Sequence, residues 1–118
     1  MVRKYLPTLG ELIDRLSILQ IKEIKIPNHK KEYQQEIKDI VHDINQILLD
    51  KDNIIDGEVI RAIVVLSQMN VHIWNNEDNA RNGVDTENQL KLTHSVNGIR
   101  NTAKNKIQEK LGGRKDYK

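Results

Sequence analysis

Read for apolar periodicity, the chain falls into four stretches of helical length, with no period-two alternation that would mark a strand. In the first, Leu9, Leu12, Ile13, Leu16, Leu19, Ile24 and Ile26 recur on one broad face at about 100° per residue. Ile18 and Ile21 lie on other sides, which predicts a helix covered on more than one flank. Thr8-Leu9-Gly10-Glu11 reads as a capping box that opens this helix, and Pro27 stops it. The second stretch begins after Asn28, read as its N-cap. Its stripe of Tyr33, Ile37, Ile40, Val41, Ile44, Ile47 and Leu48 is the cleanest amphipathic pattern in the chain, and it ends near Asp50, before an Asp52-Asn53 turn.

The third stretch starts at Asp56-Gly57. Val59, Ile60, Ile63, Val64, Val65 and Leu66 make its first half apolar nearly all round, as expected of a helix buried among neighbours. Asn82-Gly83 marks its end. The fourth opens on Thr86-Glu87-Asn88-Gln89, a second capping box, and carries Leu92, Val96, Ile99, Ala103, Ile107 and Leu111 on one face. Four long helices with short connections predict an up-and-down antiparallel four-helix bundle. The expected single domain spans the 118 residues, ordered over about 8–111, with residues 112–118 as a frayed tail.

The pattern breaks in one place. Asn70, Trp74, Glu77 and Arg81 continue the inward stripe of Val59, Ile63 and Leu66, so a face that should be core turns polar. Such groups are costly to desolvate unless paired. Glu77 and Arg81 stand at i, i+4, the spacing of an ion pair. Helix four offers Thr93, Asn97, Arg100, Asn101, Lys104 and Gln108 as a strip beside its apolar face. In an antiparallel pair, Glu77 and Arg81 would meet Thr93 and Asn97, while Asn70 and Trp74 would face Arg100 to Lys104. Two readings stay open: a buried structural network that fixes register, or a pocket. In the second, Arg81, Arg100 and Lys104 bind a phosphate or carboxylate, and Trp74 fills core.

Helix one carries a second polar group, Glu11, Asp14, Arg15, Ser17 and Lys22, on the side opposite its main apolar face. A solvated face stitched by pairs such as Glu11 with Arg15 is one reading. A homo-oligomer interface is the other, because Ile18 and Ile21 interrupt it. Glu11-x-x-Asp14 and Glu36-x-x-Asp39 each set two carboxylates one helical turn apart, and two such pairs on facing helices could hold magnesium. Glu36 and Asp39, however, sit at the rim of an aliphatic face, and the preferred reading has no metal or cofactor. The four histidines show no ligand spacing; His94 alone lies near the polar strip.

Composition narrows this further. The absence of cysteine excludes zinc-finger, iron–sulfur, thiol-nucleophile and disulfide-scaffold readings. Nineteen basic and 17 acidic residues leave a formal charge of +2, weak grounds for a nucleic-acid partner. No apolar run approaches the ~18 residues of a membrane span and no signal-peptide pattern is present, so an intracellular protein is expected. The abundance of Ile, Lys and Asn agrees with an AT-rich bacterial or phage genome.

Three stretches also carry a resemblance: Leu9-Gly-Glu-Leu-Ile-Asp-Arg-Leu-Ser-Ile18 with Lys22; Asn70-x-x-x-Trp74-x-x-Glu77-Asp78-x-x-Arg81; and Asn97-x-x-Arg100-Asn101-x-x-Lys104-Asn105. In order and spacing they resemble a set of small all-α proteins of bacteria and phages. That resemblance implies a helical bundle in which these polar residues belong together, and implies no particular activity. More distantly, the paired carboxylates are similar to those of MazG-like all-α nucleotide pyrophosphohydrolases. This would imply magnesium at Glu11, Asp14, Glu36 and Asp39, although Glu77 is followed by Arg81 where a second carboxylate would be needed.

Overall fold

The computed structural model describes residues 6–49, 55–84 and 86–111. Among them are four α-helices and no strand: α1 (Leu9–Lys25), a 3-10 turn (Pro27–His29), α2 (Lys30–Leu48), α3 (Gly57–Arg81) and α4 (Thr86–Leu111). The fold is an all-α bundle. The expected turn at Asp52-Asn53 and the tail at 112–118 lie outside the described residues.

Local chemistry sets most of the helix ends. Thr8 Oγ1 accepts the Glu11 amide at 3.2 Å while Glu11 Oε1 takes the Thr8 amide at 3.0 Å, a complete capping box. Asp56 caps α3 by accepting the Val59 amide at 2.9 Å. At the far end Gly83 adopts φ +76°, and the amides of Gly83 and Val84 return to the carbonyls of Ala80 and Asn79. Those bonds form a Schellman closure, which a side chain at position 83 would strain. Two ends differ from expectation. Asn28 lies inside the 3-10 turn forced by Pro27, so α2 starts after His29 with no side-chain cap. Helix α4 begins at Thr86 itself, and Gln89 Oε1 is buried with no partner among the described residues, so the second capping box is not closed there.

Helix directions alternate. The α3–α4 hairpin is antiparallel, with Glu58 bridged to Lys106 at 3.6 Å and to Lys110 at 3.2 Å. Helix α1 lies against both, parallel to α3 and antiparallel to α4: Leu9 clusters with Val59 and Ile107, and further along Asp14 reaches Asn70 and Arg100. Helix α2 folds back along the outer side of α1, where Leu12, Leu19 and Ile40 form a second apolar cluster. Helix α1 therefore packs against all three others, and the expectation of more than one covered flank is realised. Val59, Leu66 and Ile107 are fully buried, and each contributes about 1.5–3 kcal/mol of burial.

Burial is uneven along the bundle. Helix α1 has 17 residues, against 25 and 26 in α3 and α4, so at ~1.5 Å per residue each hairpin helix is longer by roughly two turns. Three expectations are corrected. Ile24 of the α1 stripe is 76% exposed, because it lies beyond the core. The first half of α3 is not buried all round: Ile60 and Val64 stand about half exposed on a flank that no helix covers. On α4, Leu92 and Ile99 face outward, while the strip of Arg100, Lys104 and Gln108 turns toward α1.

The ion cluster at the open end of the hairpin, where α3 begins and α4 ends, predicts a pH response. The Val59 amide holds Asp56 below its ordinary 3.8, and the Lys110 ammonium holds Glu58 below 4.5. The hydrogen bond from Lys110 to Glu58 raises the lysine above 10.5. Lowered carboxylate pKa values give stability that is present above the unfolded values and lost as pH falls through the folded ones. The raised lysine gives stability that is lost only as pH rises through its folded value. Melting temperature should thus hold from about pH 5 to 10 as far as these groups contribute, and decline below about pH 4. The Glu58→Gln variant should show a shallower acid limb. The groups are exposed, so added salt should shrink the difference.

Candidate functional site

The polar interior is built around Asp14. Its Oδ1 accepts from Asn70 Nδ2 at 2.8 Å, and its Oδ2 accepts from Arg100 NH1 at 2.6 Å. Asn70 Nδ2 also lies 3.3 Å from Ser17 Oγ. Three helices thus meet on one carboxylate. Asn70 is 5% exposed, and the side chains of Asp14 and Arg100 are 15% and 20% exposed. A short, charge-assisted bond in such a setting is strong, and each partner would be costly to leave alone. This overturns the solvated reading of helix one's polar side, since Asp14 and Ser17 face the hairpin. Ile18 and Ile21 are half-buried and line a cavity.

A cavity of about 400 Å³ opens beside this knot, between α1, α3 and α4. Its polar lining is Asp14, Asn70, Glu77, Asn97 and Arg100; its apolar lining is Ile18, Ile21, Ile73 and Trp74. Of the eight residues that the sequence groups together, five therefore converge: Asn70, Trp74, Glu77, Asn97 and Arg100. Glu77 lines the cavity together with Asn97, and Asn70 and Trp74 together with Arg100, while Arg81, Thr93 and Lys104, expected in the same pairing, do not line it.

Three residues do not join. Arg81 is exposed and pairs with Asp78 at 3.6 Å rather than with Glu77. Asn101 is half-buried but lies on neither polar cavity wall. Lys104 is 9% exposed and lines an adjoining cavity of about 460 Å³ with Glu11, Asp14, Arg15, Lys22 and Glu36. Sequence reasoning left Asp14, Ile18, Ile21 and Ile73 out of the pocket. The available signal was the spacing of Asp14, Ser17, Ile18 and Ile21 at i, i+3, i+4 and i+7, a second helical face of α1.

The pairing leaves Glu77 distinctive. Its expected partner is taken by Asp78, and among the described residues its carboxylate makes no ion pair or hydrogen bond. Asn97 likewise keeps its amide free on the cavity wall. His94 is exposed and lies on no wall.

Three of the four carboxylates of the magnesium reading, Glu11, Asp14 and Glu36, line the cavity that also holds Lys22 and Lys104, but they do not form a cation site. Asp14 is committed to Asn70 and Arg100, Glu11 Oε1 to the Thr8 amide, and Asp39 accepts from Gln35 on an exposed turn of α2. Among the described residues, no three His, Asp or Glu side chains stand close enough to share a cation. The donor set does not fit the group, and no reaction is derived through it. The larger hollow of about 760 Å³ is lined only by α3 and α4. Ala62, Val65, Gly98 and Ile99 give it apolar walls, and no polar side chain buried as deeply as Asn70 points into it.

No known family, curated protein or solved structure matches this chain. Among the described residues no helix is long and apolar enough to cross a membrane. The functional reading rests on the residues themselves.

Proposed function

We propose that the protein is a non-catalytic helical-bundle module that holds a small polar ligand in the α1–α3–α4 cavity. The observation that carries this reading is the convergence of Asp14, Asn70, Asn97 and Arg100, from three helices, on a cavity that isoleucine and tryptophan side chains also line. Polar groups fixed on a rigid frame beside an apolar wall are the usual make-up of a ligand site. The geometry supports the site more than it supports an anionic ligand. Arg81 points away, Lys104 lines the next cavity, and Arg100 already holds a carboxylate. Thermal-shift measurements against nucleotides, sugar phosphates, carboxylates and amines, with and without magnesium, test the reading. A ligand of this cavity should raise the melting temperature by mass action and lose that effect in Asn97→Leu. A flat response to every compound would leave the polar knot as purely structural.

Self-association is a second reading, favoured by the bare flank of α3. Ile60, Val64 and Val71, at i, i+4 and i+11, are each about half exposed. The positions between and just beyond them on that flank (Ser67, Gln68 and Asn75) carry no charge, so the centre of the stripe could meet a second copy without like-charge contacts, with Asp78 the first charge further along. Sedimentation velocity should show a dimer that Val64→Lys converts to monomer. A monomeric parent at high concentration removes this reading.

A further inference from the structure

The charge of the cavity specifies its ligand further. Two carboxylates and one guanidinium line it: Asp14, Glu77 and Arg100. Arg100 is neutralised within the protein by its 2.6 Å bond to Asp14, and Asp14 is further satisfied by Asn70. The net charge left to a visitor is that of Glu77, which has no partner among the described residues. An anion entering the site would compete with Asp14 for Arg100 and would face two carboxylates.

We infer that the cavity takes a small aliphatic ammonium compound, its charged head between the Glu77 carboxylate and the Trp74 ring and its hydrocarbon part against Ile18, Ile21 and Ile73. This rests on the ligand-binding reading above and deepens it. Glu77 and Trp74 stand one helical turn apart on α3 and line the same opening, so a cation can meet a full negative charge and an aromatic face together. The three isoleucines supply an apolar wall that a bare metal ion or an inorganic anion would leave unused. Asn97 can either donate to or accept from a polar substituent at the far end of the ligand.

The test is calorimetric titration and thermal shift with n-hexylammonium chloride, sodium hexanoate and sodium chloride at equal ionic strength. Hexylammonium should stabilise the parent, and hexanoate and salt should not. Glu77→Gln changes an exposed residue and should fold as the parent does, yet weaken hexylammonium binding about fivefold or more, the loss of one charge-assisted contact. Trp74→Leu should weaken it about threefold. Stabilisation by hexanoate that depends on Arg100, with none by hexylammonium, would overturn the ammonium assignment and leave the ligand-binding reading standing. Hexylammonium binding unchanged in Glu77→Gln would also overturn it. If neither compound acts on the parent and the wider panel is also silent, both readings fall together.

Discussion

Replacing Asp14 with leucine should destabilise the protein by about 3 kcal/mol, because it strands the Arg100 guanidinium and the Asn70 amide in a largely dry site. For a chain of this size the melting temperature should fall by roughly 10 °C. The loss belongs to the uncompensated partner more than to the pair. Removing both charges in Asp14→Leu/Arg100→Met should therefore recover most of the stability, since a buried pair and an apolar replacement of similar volume differ little. Urea denaturation of the parent, both single variants and the double variant closes the cycle. If Asp14→Leu alone matched the parent, the carboxylate would not anchor α1 to the hairpin. If the double variant were as unstable as the sum of the singles, the two residues would not be acting on each other.

That knot also shows what could be read in the chain and what could not. Helix existence followed from periodicity, and the caps at Thr8, Asp56 and Gly83 followed from local chemistry, because each involves groups within a few residues of one another. The change of the α3 face at Asn70 was equally visible, and it led to the cavity. What one helix wheel could not supply was the partner. Asp14 shares its side of α1 with Arg15 and Lys22, so it reads as a solvated charge until α4 is placed beside it.

The remaining differences lie at the end of α3. Arg81 and Glu77 satisfy the i, i+4 rule, but that rule stabilises a pair by only about 0.2–0.5 kcal/mol. Outside the core this small gain is easily lost to Asp78, and Arg81 takes the neighbour one turn back. Trp74 is half-buried and shares its cavity with Ile18 and Ile21 of α1. Residues that line a cavity in this way look like core in sequence.

The opposite end of α1 makes a sign-dependent prediction. Gly10 is buried, and a methyl group there would lie 2.7 Å from Gln108 Cγ and 3.1 Å from its Oε1. Gln108 is 1% exposed, and that same Oε1 accepts from the Thr8 hydroxyl at 2.8 Å, so the amide cannot retreat without loosening the α1 cap. A helical Gly→Ala change ordinarily gains about 0.5–1 kcal/mol. Overpacking of about 1–3 kcal/mol and a weakened hydrogen bond of ~1 kcal/mol outweigh that gain at position 10. Gly10→Ala should therefore destabilise the protein by about 2 kcal/mol. Gly98, in the middle of α4, has open space where a methyl group would stand, with no atom within 4 Å, so Gly98→Ala should show the ordinary gain. Chemical denaturation of the two variants should move the midpoint in opposite directions with the slope unchanged. A stabilised Gly10→Ala would mean that Gln108 yields freely, and that α1 docks on α4 less tightly than its buried glycine and buried amide imply.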